Sequence, residues 1–218
     1  MSEAHDTVAA PHAWLKGDLQ PLRQQLAFAD HPSTWQPLIS CGAADVVDLA
    51  SLRQLLELYR CEVLIPLELP ALQRAHGHAS QYETRELIAL DRELAEAAPL
   101  QRFAEASRAV GRAQLRRLLS LRDQRLVRRY WRAIERGEAH GWSPVVYGVV
   151  LALFSLPLRQ GLLHYSQQIL GGFFHAGAAR LALPRPEIVP VWDELLAALP
   201  ETVERALLER GPPRQVTG

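Results

Sequence analysis

Apolar residues recur three and four positions apart along most of the chain, and no stretch alternates with the period of two that marks a strand. Leu49, Leu52, Leu56, Tyr59 and Val63 define an amphipathic helix that begins at Asp48. Pro66 and Pro70 predict a break or kink, followed by a short helix through Ala75. Ser80-Gln81-Tyr82-Glu83 has the form of a capping box. It predicts a helix start, with Leu87, Ile88 and Leu94 in the stripe and an end near Ala98. Pro99 suits the first turn of a longer helix reaching Leu121, continued by a second segment through Arg136. Ser143-Pro144 reads as an N-cap followed by proline, opening a buried helix over residues 145–155. Residues 158–183 form another helix, and residues 191–210, interrupted at Pro200, supply the last.

The helix over residues 158–183 is rich in small residues: Gly161, Gly171, Gly172, Ala176, Gly177, Ala178 and Ala179. Each glycine inside a helix costs about 1 kcal/mol against alanine, so their density predicts close backbone approach there. The sum is about eight helices without strands, an all-α single-domain bundle over residues 11–210. Residues 1–10 and the Gly/Pro-containing tail 211–218 are expected to be flexible.

A chain of 218 residues, 48% of them hydrophobic and 22% charged, can bury a sizeable core and is not of disordered composition. The polar N-terminus has no apolar run of the signal-peptide kind. The most apolar stretch, residues 145–158, is too short to span a bilayer. Cys41 and Cys61 make no metal-like spacing and no disulfide framework, which fits a reducing, cytoplasmic setting.

Net charge is zero, but its distribution is uneven. Residues 102–136 hold eleven arginines against three acids, Glu105, Asp123 and Glu135. If the second segment is helical, Arg122, Arg125, Arg129, Arg132 and Arg136 share one face. A solvated helix face explains this stripe. So does docking onto an acidic partner, because guanidiniums fork onto carboxylates. Nucleic acid fits poorly: only Tyr130 and Trp131 lie nearby, and the chain is neutral overall.

Candidate chemistry is sparse. His76 and His78 sit two apart and diverge on a helix, while His164 and His175 are about 16 Å apart along one. No HExxH or CxxC accompanies them, so no metal and no cofactor is expected. Cys41-Gly42 lacks an identifiable base, and there is no GxSxG elbow or phosphate-cradling glycine loop, which predicts a protein that is not an enzyme.

Several segments, in order, resemble the urease accessory protein F (UreF) family. They are Asp48-Leu49-Ala50-Ser51-Leu52, Leu67-Glu68-Leu69-Pro70-Ala71-Leu72, Ala89-Leu90-Asp91, and the run from Arg102 through Phe103, Ala106, Ser107 and Arg108 to Gly111, like "R-x-A-S-x-x-M-G". His140 leading to Pro144-Val145-Val146-Tyr147-Gly148 resembles "H-x-P-V-x-F-G". Leu163-His164-Tyr165 through Ala178-Ala179-Arg180-Leu181 resembles the small-residue helix ending "A-V-R-L-x-P". The likeness covers roughly residues 45–184. The family's N-terminal "LP-x-G-x-F-x-x-S-x-G-L-E" and C-terminal "P-L-G-Q-x-x-G-Q" are absent, which marks a divergent member.

The resemblance implies a homodimeric helical scaffold that binds UreH (UreD) and the GTPase UreG and promotes nickel insertion into apo-urease. It points to Arg102, Ser107, Arg108, Gly111, Tyr165 and Arg180 as partner-binding residues. Each also has a structural account: Gly111 permits close helix packing, Ser107 bonds back to a carbonyl, and Arg180 favours the C-terminal end of a helix dipole. The missing signatures leave open a UreF-fold protein serving another assembly, and the arginine stripe leaves open a nucleic-acid-binding one.

Overall fold

The computed structural model describes residues 32–120, 125–182 and 184–208, and among them every regular element is helical. A 3-10 turn, Pro32–Trp35, leads into α1 (Gln36–Ala43). Next come α2 (Leu49–Leu58), a π-helical segment (Tyr59–Glu68) and α3 (Leu69–Ser80), then α4 (Thr84–Ala95), a 3-10 segment (Ala98–Phe103) and α5 (Ala104–Leu118). The chain continues through α6 (Arg125–Glu135), α7 (Ser143–Leu153), α8 (Leu158–Leu181) and α9 (Arg185–Leu208). Because α2, the π segment and α3 are one uninterrupted run, the described helices form eight rods, as the hydrophobic pattern predicts.

The break that Pro66 would impose on an α-helix does not occur, and the helix runs on through it. In the π segment the ladder widens, so that the Leu69 N–H bonds to the carbonyl of Leu64, five residues back. The wider turn gives the Pro66 ring room that an α-helix would deny it. Pro70 follows at the second position of α3, directly after the widened ladder, and does not end the run either. Pro190 and Pro200 likewise lie inside α9 without ending it, and α9 starts at Arg185 rather than near Val191. Leu195, Leu196 and Leu199 before Pro200, and Val203 and Ala206 after it, are all buried, and α9 packs on α8 along this face. That packing outweighs the roughly 3 kcal/mol an interior proline costs.

The expected capping box at Ser80 does not form. Ser80 ends α3 and donates its hydroxyl to the His76 carbonyl, Tyr82 turns the chain with φ 58°, and Glu83 caps nothing with its side chain. The capping box sits at Asp48 instead. Its carboxylate accepts from the Ser51 N–H at 2.7 Å, while the Ser51 hydroxyl accepts from the Asp48 N–H at 2.9 Å. Pro99 opens the short 3-10 segment and not the long helix, which begins at Ala104.

Helix α7 is the centre of the bundle. It is apolar on all sides, and every residue from Ser143 to Leu151 is buried. It crosses α3 at Gly148, where a Cβ would lie 2.5 Å from the Leu72 carbonyl oxygen, and it crosses α5 at Gly111. Beside it, Trp35, Tyr147 and Tyr165 form one tilted aromatic cluster, and Tyr59, Phe103 and Phe173 form a second. The glycines of α8 do not bring backbones together as expected. They make room for side chains: Leu151 at Gly161, Trp192 at Gly171, Ile39 at Gly172 and Leu52 at Gly177.

Candidate partner-binding surface

The loop between α6 and α7 is organised by one buried carboxylate. Asp91 of α4, fully buried, accepts the backbone N–H groups of His140, Gly141 (3.1 Å) and Trp142 (3.1 Å). The three donors belong to the loop just before α7, and their positive ends converge on the carboxylate. Gly141 takes φ 76°, a left-handed conformation that glycine adopts without strain. The expected N-cap, Ser143, is instead the first residue of α7, preceded by Trp142. Its hydroxyl is buried, 2.9 Å from the Ser107 hydroxyl of α5 and 3.2 Å from the Tyr165 hydroxyl of α8. Gly111 seats this loop: a Cβ there would collide with the Gly141 carbonyl oxygen and approach the Ser143 nitrogen to 3.0 Å.

A second buried carboxyl, Glu68, ends the π segment. Burial pushes its pKa up to about 7, while the Tyr59 and Tyr165 hydroxyls nearby restrain the rise. Among the described residues, no hydrogen bond of good geometry reaches either carboxyl oxygen. Farther along the core, the Tyr147 hydroxyl lies 2.6 Å from His164 Nδ1 and Gln168 Nε2 lies 3.3 Å from His164 Nε2.

Outside this frame lies a surface of guanidiniums. Arg108, Arg112 and Arg116 follow one another at four-residue steps along α5 and line a groove of about 580 Å³ with Gln101, Ala104, Glu105 and Ala109. Arg108 lies 4.5 Å over the ring of Trp142 and Arg116 lies 5.3 Å over that of Trp131. Arg112 donates Nε–H to the His140 carbonyl at 2.9 Å. Burial, together with its neighbour Arg112, lowers the pKa of Arg108. Burial and the charges of Arg108, Arg112 and Arg92 lower that of His140, although Asp91 opposes them. On α6, Arg125, Arg128, Arg129 and Arg132 are exposed, and a second groove between α4 and α6 holds Arg85, Arg129, Arg132 and Arg136.

Arg125, Arg129, Arg132 and Arg136 of the expected stripe therefore share the outer side of α6, and Arg122 lies outside the described residues. Of the residues expected to bind partners, Arg102 is exposed, paired with Asp45 at 2.8 Å, and Arg180 is exposed in the last turn of α8. Arg108 is half-buried at the groove. Ser107, Gly111 and Tyr165 lie inside the protein, where Ser107 bonds across to Ser143 and not back to a carbonyl of its own helix. Cys41 donates its thiol to the Arg102 carbonyl at 3.5 Å, and burial raises its pKa, the reverse of an activated nucleophile. His164 is buried, while His175 is exposed and tilted against Trp192. No three His, Cys, Asp or Glu side chains among the described residues converge as metal ligands.

Asp91 and Glu68 were legible as more than surface acids. Asp91 lies four residues after Leu87 and three before Leu94, and Glu68 falls four from both Leu64 and Leu72, inside apolar stripes. A carboxylate in such a stripe is either partnered, as Asp91 is by three backbone N–H groups, or has its pKa raised by burial, as Glu68 has.

The family model for UreF matches residues 46–183, well over half of the chain. No curated protein is similar enough to count as a match. The matched span runs from the loop before α2 to just past the end of α8, and it contains the Asp91 seam, the Glu68 cluster and both arginine grooves.

Proposed function

The chain belongs to the UreF family, an accessory family of urease and not one of enzymes, and from that premise we propose that it acts as the scaffold of urease maturation. Partnership with other urease accessory proteins follows from the family in general. The finer reading is that it works in the cytoplasm as a homodimer, holding UreH (UreD) and the GTPase UreG against apo-urease so that nickel passes within a protected complex. The observation that carries it is the family match over residues 46–183, from the loop before α2 to the end of α8. No described helix is long and apolar enough to cross a membrane.

In this reading Arg102, Arg108 and Arg180 touch partners directly. Ser107, Gly111 and Tyr165 hold α5, α7 and α8 in register beneath them.

The test is complementation. Expressed with a urease gene cluster lacking its own UreF, the chain should restore urease activity and co-purify with UreG- and UreH-type proteins. Absence of both restored activity and co-purification rejects the reading. Recovery of an unrelated, defined assembly would identify a different client.

A further inference from the structure

We propose that the arginine surface of α5 and α6 is a docking site for an acidic face of a partner protein, received carboxylate by carboxylate on Arg108, Arg112 and Arg116 of the α5 groove, with the exposed Arg128 and Arg132 of α6 extending the positive surface toward the α4–α6 groove. It rests on the scaffold reading only in requiring a protein partner. Among the described residues, none of these five arginines pairs with a carboxylate, whereas arginines elsewhere do: Arg53 with Glu194, Arg60 with Glu57, Arg74 with Glu93, Arg159 with Glu204 and Arg205 with Glu201. Like charges one turn apart repel, so leaving three in a row without an acid between them is unfavourable in the isolated chain.

The geometry is also prepared. Steps of four residues put the backbone positions of Arg108, Arg112 and Arg116 roughly 6 Å apart along the α5 axis, the same rise that separates glutamates four apart on a facing helix. Stacking on Trp142 and Trp131 and the Arg112 bond to His140 hold three of the long side chains in place before anything binds.

Other anionic partners fit less well. Trp142 is fully buried, and Trp131 gives its indole N–H to Glu135 and a ring face to Arg116, so no aromatic platform is open for bases. Glu105, Glu135 and Glu138 stand among the arginines, against a continuous polyphosphate. No large apolar side chain is exposed on α5 or α6 to enter a bilayer.

The probe is a labelled, alanine-rich helical peptide of about 20 residues with glutamates four apart, read by fluorescence anisotropy against the full chain at low salt. The controls are its glutamine counterpart, a single-stranded RNA of similar length and phosphatidylserine vesicles. The glutamate peptide should bind at least about tenfold tighter than the glutamine one and weaken as salt rises. Arg116→Glu with Arg132→Glu should weaken it by about tenfold or more at unchanged thermal stability, and Arg205→Glu should leave it unaltered. Should charge reversal lower stability, Arg128→Gln with Arg132→Gln replaces it, since no described hydrogen bond involves either side chain.

Equal binding of the two peptides, tighter binding of RNA or vesicles, or indifference to the α5–α6 variants overturns the proposal. A chain that complements urease yet ignores the glutamate peptide keeps the scaffold role and loses this surface.

Discussion

Two buried carboxyls divide the electrostatics of the core between them. Asp91 stays embedded because three backbone N–H groups converge on it, and Tyr130, whose hydroxyl pKa burial and this charge raise, closes its other side. Asp91→Ala should therefore lower unfolding stability in urea by about 3 kcal/mol, because it strands buried donors as well as losing the bonds. Asp91→Asn, which keeps one carbonyl acceptor, should lose distinctly less. Glu68 has no such donors, and the consequence depends on pH. Its folded pKa, about 7, lies above the ordinary 4.5, so between these values the native state holds a proton that the unfolded chain has released. The stability contributed by the neutral carboxyl is complete below about pH 4.5 and is lost as pH rises through 7. Between about pH 5 and pH 8 the wild type should lose about 2–3 kcal/mol that Glu68→Gln does not. Equal pH profiles for the two proteins in urea unfolding would show that Glu68 is not neutral in the native state. Both residues could be found in the sequence from their stripe positions. Whether each is charged could not, since that depends on donors supplied by loops and helices far along the chain.

At the level of helices, what the sequence displayed well was periodicity, and what it displayed poorly was punctuation. The stripe of Leu52 and Leu56 in α2, continued by Tyr59 and Val63 in the π segment, is buried as its spacing predicts. Pro66, Pro200 and Ser80 misled because each carries a local preference that neighbouring helices override: a widened ladder at Pro66, apolar packing on α8 at Pro200, and a carbonyl one turn back at Ser80. Glycines separate in the same way. In α3, Gly77 has open space around its missing Cβ, while Gly111 in α5 faces the backbone of the loop before α7. Gly77→Ala should stabilise the protein by about 0.5–1 kcal/mol through helix propensity alone. Gly111→Ala should destabilise it by about 1–3 kcal/mol, since backbone cannot step aside as a side-chain tip would. Chemical unfolding of the two single variants checks this. Two shifts of the same sign would mean that the α5–α7 crossing is looser than its geometry indicates.

Across the whole molecule, stability should be graded outward from α7. That helix is enclosed by α3, α5 and α8 and lacks any exposed turn between Ser143 and Leu151. Opening it means exposing Val145, Val146, Val149, Val150 and Leu151 together, each worth about 1.5–3 kcal/mol when fully buried. By contrast α9 buries one stripe, mainly on α8, and carries two prolines that remove ladder bonds. Amide hydrogen exchange should then report the slowest exchange in α7, at close to the global unfolding free energy, and markedly faster exchange in α9. This ordering matters for the arginine surface, because α5 packs directly on the rigid centre. Protection in α9 equal to that in α7 would mean that the bundle opens only as one unit, with no gradation from its centre outward.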